Sequence, residues 1–329
     1  REIDKAMIKL DGTPNKKRLG ANAILPVSLA CARAGAVSNN EPLYKYIRRT
    51  FALKENEWRM PVATMNLING GRHADNNLSV QEFMIVPIHK QMRERIRMGS
   101  QIFHALASIL REKGYSTAVG DEGGFAPDLA NNEQALKLLM KAIEASGFIP
   151  GKNVYLAMDI AASEFYRNGK YYFTNQRQIS TADKILRILE SWVKKYPIIS
   201  IEDPLAEDDW ENWRILTKKL GKKIIIVGDD LFVTNVARIK KGIEEKVANA
   251  VLIKVNQIGT LSETIDAIYL AKKNNYQVSV SHRSGETADT FIADLAVAVN
   301  AEFIKTGSMS RSERIEKYNR LMKIEDEIE

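Results

Sequence analysis

Six ionisable side chains recur at one kind of position in this chain. Asp159, Glu202, Asp229, Lys254, His282 and Lys305 each follow a short apolar run within two residues. The runs are Tyr155 to Met158, Ile198 to Ile201, Ile224 to Val227, Val251 to Ile253, Val278 to Val280 and Phe303 to Ile304, rich in the β-branched and aromatic residues of buried strands. One such charge would be an ordinary helix cap or a solvated strand end. Six in succession read as a chemical set. Neighbouring carboxylates such as Asp159, Glu202 and Asp229 repel one another unless a cation neutralises them, and hard oxygen ligands with room for water and substrate suit Mg2+. Pairing with nearby lysines is the alternative for any one of these acids. A lysine crowded by positive charge can fall in pKa far enough to act as a base, while a second stays charged and holds an anion. A metal with a lysine base fits proton abstraction beside a carboxylate, because the metal takes up the charge of the enediolate.

Such a set must be positioned by a repeated unit. A helix-period segment follows each run: Thr181 to Lys195, Asp208 to Leu220, Asn235 to Lys246, Leu261 to Asn274, Glu286 to Ala298 and Ser312 to Ile324. Two earlier runs, Val62 to Leu67 and Gln81 to Val86, precede long helical segments at Gln91 to Lys113 and Asn132 to Ser146. About eight strands with outer helices predict a closed barrel, whose strand ends converge on one catalytic face. The turn Gly120-Asp121-Glu122-Gly123-Gly124 offers an acid for a leaving group, with glycines that bring the backbone close to a substrate. At the end of its strand, His282-Arg283-Ser284 supplies cationic and hydroxyl donors suited to a phosphate.

Bulk properties exclude some classes. The 329 residues, 45% hydrophobic and 27% charged, describe a folded chain long enough for one large domain with an appendage. Cys31 is the single cysteine, so no internal disulfide forms and a reducing, cytoplasmic setting is expected. No apolar run is read as reaching the length of a membrane span, and the N-terminus has neither a signal-peptide pattern nor an initiator methionine, so the chain reads as starting inside a longer protein. The net charge of +7 is spread over helix faces with no arginine-rich arm, which argues against nucleic acid as a partner.

Ten segments then carry a resemblance to the enolase family: GANAIL at Gly20, NGGRHADN at Asn69, QEFMIVP at Gln81, VGDEGGFAPD at Val119, MDIAASEFY at Met158, SIEDPLAEDDW at Ser200, GDDLFVTN at Gly228, LIKVNQIGTLSET at Leu252, SHRSGETADTFIADL at Ser281 and IKTGSMSRSERIEKYN at Ile304. The resemblance runs in family order over nearly the whole chain. It implies a glycolytic dehydratase built as a TIM-like barrel, β2α2 followed by (βα)6, at residues 57–329, preceded at 1–56 by the helical remnant of an α+β N-terminal domain. By position it implies Asp159, Glu202 and Asp229 as ligands of a structural Mg2+, Lys254 as the base at C2 of 2-phosphoglycerate, and Glu122 as the acid at its C3 hydroxyl. Glu82, with Gln81 beside it, would be the second acidic residue near that hydroxyl. Lys305 would meet the substrate carboxylate, Arg283 and Ser284 the phosphate, and His73 and His282 the substrate's surroundings.

Departures from the family pattern also carry expectations. A Gly/Ser loop that would close over substrate and help hold a second, catalytic Mg2+ is not found in these residues. Pro26, where the family usually has glycine, is expected to bend or interrupt its helix, and Ala288 replaces an acidic residue at an expected helix surface. The resemblance further implies a homo-oligomer. Two other readings are another enolase-superfamily lyase and a non-catalytic binding role, as an RNA-processing scaffold or a plasminogen receptor. SHRSGET and GDEGGFAP favour a phosphorylated substrate, and the chain ends without the lysines of the receptor reading.

Overall fold

The computed structural model describes residues 1–54, 57–172 and 179–328. The domain boundary read after residue 56 falls at residues 55 and 56, outside the described ones, as does the terminal Glu329. Three helices open the chain: α1 (Glu2–Asp11), α2 (Ala21–Ser38) and α3 (Leu43–Thr50). Strands β1 (Val62–Asn69) and β2 (Glu82–Pro87) form an antiparallel pair and lead to α4 (Met92–Glu112) and α5 (Asn132–Ala145). Strand β3 (Val154–Asp159) is followed by the short strands β4 (Tyr166–Arg167), β5 (Lys170–Tyr172) and β6 (Ile179–Ser180), then α6 (Ala182–Lys195). The rest alternates: β7 (Ile198–Glu202), α7 (Trp210–Leu220), β8 (Ile225–Gly228), α8 (Val236–Glu245), β9 (Ala250–Ile253), the one-turn α9 (Val255–Ile258), α10 (Leu261–Lys273), β10 (Gln277–Ser281), α11 (Phe291–Ala298), β11 (Phe303–Lys305) and α12 (Ser312–Ile328).

Eight strands close into a barrel in the order β1-β11-β10-β9-β8-β7-β3-β2, with β2 antiparallel to both neighbours. This is β2α2 followed by (βα)6. Strand parity explains why the charged residues face inward. Glu82 shares a face with Met84 and Val86, and Asp159 with Ala157 and Tyr155; these apolar residues pack together beneath the acids. Asp229 and Lys254 stand over a second small cluster, Val227, Ala250 and Leu252. Alternate residues such as Phe83, Ile85 and Met158 face the helices and join the large outer core.

The N-terminal helices are fastened to the barrel's helices. Asp4 accepts hydrogen bonds from the Ser262 amide (3.0 Å) and hydroxyl (2.6 Å), and Ser28 accepts from the Leu261 amide (2.9 Å), so α1 and α2 together satisfy the start of α10. From α3, the Arg48 guanidinium donates to the carbonyls of Val297 and Ala298, each at 3.0 Å, and lies 3.5 Å from the Trp58 ring. A cation against those terminal carbonyls complements the α11 dipole.

Four readings need correction. Helix α2 runs through Pro26 without interruption, because the proline removes one backbone donor while the stripe Ile24, Ser28, Ala32 and Ala36 stays buried along one face. This helix is also 18 residues long with a mean hydropathy of 1.2, so by length and composition it could cross a membrane; it nevertheless packs on α3 and α9. The helix read from Glu286 begins instead at Phe291, whose amide is satisfied by Asp289 at 2.8 Å. Ala288 consequently lies in an exposed loop, not on a helix surface. The small sheet β4-β5-β6 is an addition that sequence periodicity did not indicate.

Candidate active site

The carboxyl ends of the barrel strands open into a cavity of about 410 Å³. Register brings the acids there side by side: Glu82 pairs with Asp159 across β2 and β3, and Asp159 with Glu202 across β3 and β7. The cavity is lined by His73, Gln81, Glu82, Glu122, Asp159, Asp229, Lys254, His282, Arg283, Ser284 and Lys305, eleven of the residues singled out in the sequence. Glu202, the twelfth, is buried and bonded to Lys305 Nζ at 2.7 Å.

The two lysines hold the acids in place. Lys305 Nζ also reaches Asp159 at 3.0 Å and Glu82 at 3.1 Å, while Lys254 Nζ is paired with Asp229. Thus the lysine–carboxylate pairing that stood as the alternative for each acid is present for all three. Burial, the largest influence, lowers the pKa of Lys254, but Asp229 and Glu202 together outweigh it and hold the amine above the ordinary lysine value. To act as a base, this amine must first be released from Asp229. Gln257 Nε2 donates to the other Asp229 oxygen at 3.2 Å, and Gln81 Nε2 to Asp159 at 3.4 Å.

Charge at the site does not balance. Glu82, Glu122, Asp159, Glu202, Asp203 and Asp229 are all buried, against Lys254 and Lys305. Burial, then Asp159, pushes Glu202 well above the carboxylate range; burial, then Asp229, does the same to Asp203. Buried Glu82 Oε2 has no hydrogen-bond partner among the described residues. This oxygen-rich surplus of negative charge fits a hard divalent cation; among the described residues Asp203, Asp229 and Asp230 each offer an oxygen within 4.8 Å of the others, so of the expected ligands Asp229 lies in such a group and Asp159 and Glu202 do not.

On the opposite side, Glu122 is set by its glycine turn. Its Oε1 lies 3.5 Å from His73 Nδ1 and 3.3 Å from His282 Nε2, and its Oε2 accepts from Asn66 Nδ2 at 3.0 Å. Burial, and then the charge of Glu122, raises Glu82 well above the usual range, whereas Glu122, against its burial, is held well below that range by His282 and His73. Gly123 has a left-handed φ of +84°, and a Cβ on Gly124 would lie 2.2 Å from Asn69 Oδ1 and 3.0 Å from the Leu67 backbone. Gly124→Ala is therefore expected to cost about 1–3 kcal/mol and to lower kcat by displacing Glu122. Urea denaturation and steady-state kinetics check this; unchanged values would show that the turn tolerates a side chain.

Three contributors were not read from the sequence. Asp203, at φ +40°, accepts from the amides of Asp229 (2.9 Å) and Asp230 (2.7 Å) and so shapes the end of β8. Asp230 joins the cavity lining, its pKa raised to about 6 by burial and then by Asp229. Arg314, on α12, is fully buried behind His282. All three stood within the quoted segments, where nothing in their types or spacing singled them out.

Comparison with known proteins agrees with this architecture. The family model "Enolase, C-terminal TIM barrel domain" matches residues 57–329, and "Enolase, N-terminal domain" matches residues 1–47. Enolase of Elusimicrobium minutum (strain Pei191) is 57% identical over 329 residues, covering 100% of this chain and 77% of that relative. With the barrel, its strand-end acids and lysines and this identity along its whole length, the chain belongs to the enolase family, the phosphopyruvate hydratases among the carbon–oxygen lyases.

Proposed function

We propose that this site performs the reversible, Mg2+-dependent dehydration of 2-phospho-D-glycerate to phosphoenolpyruvate. The observation that carries the reading is the arrangement of one cavity: Lys254 enters it from the end of β9, Glu122 from the glycine turn, and Arg283 and Ser284 from the loop after β10. Lys254 takes the C2 proton on Nζ. The electron pair left on C2 then forms the C2–C3 double bond as the C3 hydroxyl departs, and Glu122 donates the proton that makes it water. Glu82, the acid whose pKa is raised, carries a proton that His73, 3.5 Å from both acids, would pass to Glu122. Lys305 holds the substrate carboxylate, Arg283 and Ser284 hold the phosphate, and His282 stands in the substrate's surroundings beside Glu122. Asp159, Glu202 and Asp229 would hold Mg2+, with Gln81 and Gln257 bracing the first and last. The bound ion would supply positive charge to offset the enediolate as it forms. Cys31, as the single cysteine, suits work in the reducing cytoplasm.

The test is phosphoenolpyruvate formation followed by ultraviolet absorbance. Absorbance is expected to rise with 2-phosphoglycerate and Mg2+ and to stay flat with a chelator. A rise that ignores the chelator, or none in Mg2+, would contradict the reading. Arg283 is exposed and its side chain bonds Asn256 at 2.9 Å, so Arg283→Ala should leave folding intact. It is expected to raise KM by about 10-fold or more through loss of a charged hydrogen bond. An unchanged KM would remove Arg283 from phosphate binding.

A further inference from the structure

We propose that Arg314 is a positioning residue: its guanidinium fixes His282 as the neutral tautomer with its proton on Nε2, beside Glu122, and joins the loops that carry both. The proposal rests on the acid role assigned to Glu122. Arg314 is 1% exposed, and its nearest carboxylate oxygen, on Glu313, is 3.7 Å away. Burying a guanidinium is costly, even with a carboxylate 3.7 Å away, unless its donors satisfy other groups. Nη1 and Nη2 do so here at the site itself, while Nε makes no hydrogen bond to the described residues. Nη1 reaches His282 Nδ1 at 2.6 Å and donates to the Arg283 carbonyl at 2.7 Å, while Nη2 donates to the carbonyls of Ser284 (2.7 Å) and Asp121 (3.1 Å).

The chemistry of the pair decides the tautomer. A guanidinium has donors and no acceptor, and it does not lose its proton in a protein. Nδ1 must therefore be the bare nitrogen, and a neutral ring carries its proton on Nε2, 3.3 Å from Glu122 Oε1. Burial, opposed by Glu122 and reinforced by Arg314 and Lys305, holds the His282 pKa below its ordinary value, which favours that neutral ring. Gly307 makes the approach possible, since a Cβ there would meet Arg314 Cδ at 2.6 Å. Arg314 thus sets a proton-bearing nitrogen beside the acid and fixes Asp121, Arg283 and Ser284 relative to one another, without a place in the cavity lining.

Nitrogen NMR of 15N-histidine-labelled protein tests this, with the His282 signal identified by its loss in His282→Gln. At neutral pH the wild type is expected to show an unprotonated Nδ1 and a protonated Nε2. In Arg314→Met the tautomers are expected to mix and kcat to fall by about 10- to 100-fold, as when a partner that orients a functional histidine is removed. Arg314→Lys keeps one cationic donor and is expected to retain the tautomer and more of kcat than the methionine variant. Should Arg314→Met fail to fold, the wild-type spectrum and the lysine variant still decide. An imidazolium or an Nδ1-protonated ring in the wild type would overturn the proposal, as would a methionine variant with unchanged tautomer or unchanged kcat. Absence of phosphoenolpyruvate formation by the wild type would refute the proposed activity, while the spectrum would still report on Arg314.

Discussion

Lys254→Ala is expected to lower kcat for phosphoenolpyruvate formation by at least ~10²-fold and up to ~10⁴-fold, the range for removing a positioned general base. Lys254 enters the cavity at the end of β9, with its amine buried against Asp229. Among the described residues no other lysine except Lys305 lines that cavity, and Lys305 is engaged by three carboxylates, so a substitute amine is not at hand. The backbone of residue 254 is held independently, its amide donating to Thr234 Oγ1 at 2.9 Å. Circular dichroism in Mg2+ should therefore match the wild type. A variant that keeps wild-type kcat would remove Lys254 from the proton-transfer step.

The second large effect concerns stability. Lys305→Met would leave Glu82, Asp159 and Glu202 buried without the amine that now lies 2.7–3.1 Å from each. Breaking a buried pair by removing one partner typically costs about 3–5 kcal/mol. A loss of at least that size is expected in denaturation measured with a chelator. Mg2+ should restore part of it, because an ion that binds only the folded state stabilises it by mass action, and the cluster freed of Lys305 carries more negative charge. The gain from Mg2+ is thus expected to be larger in the variant than in the wild type. A loss below about 1 kcal/mol would mean that these acids are protonated or hydrated enough to need no counter-charge.

Much of this site was legible because barrel chemistry is written in strand ends. Glu82, Asp159 and Lys305 each belong to the inward face of a strand, and period-2 alternation places apolar residues such as Met84 and Ala157 beneath them. The features that escaped depend on packing between distant segments. Arg314 reads as one more charged residue in the helical run SERIEKYN, yet it is buried because Gly307 leaves room for its side chain. Asp203 follows Glu202 with no signal of its own in the sequence; its role comes from the amides of Asp229 and Asp230, just beyond β8. The start of α11 was misplaced because Glu286 and Thr287 suit a helix N-terminus, whereas their hydrogen bonds serve the loop around Arg283. The raised pKa of Lys254 could not be read from residue types, since it depends on which carboxylate meets the amine.

The central claim is that Lys254 removes the C2 proton in a step that needs Mg2+. It is tested most directly by incubating 2-phosphoglycerate with the protein in deuterated water and measuring deuterium at C2 of the recovered substrate. The account predicts incorporation with Mg2+, none with a chelator, and none with Lys254→Ala in Mg2+. Incorporation by Lys254→Ala at the wild-type rate, or equally with and without the metal, would contradict it.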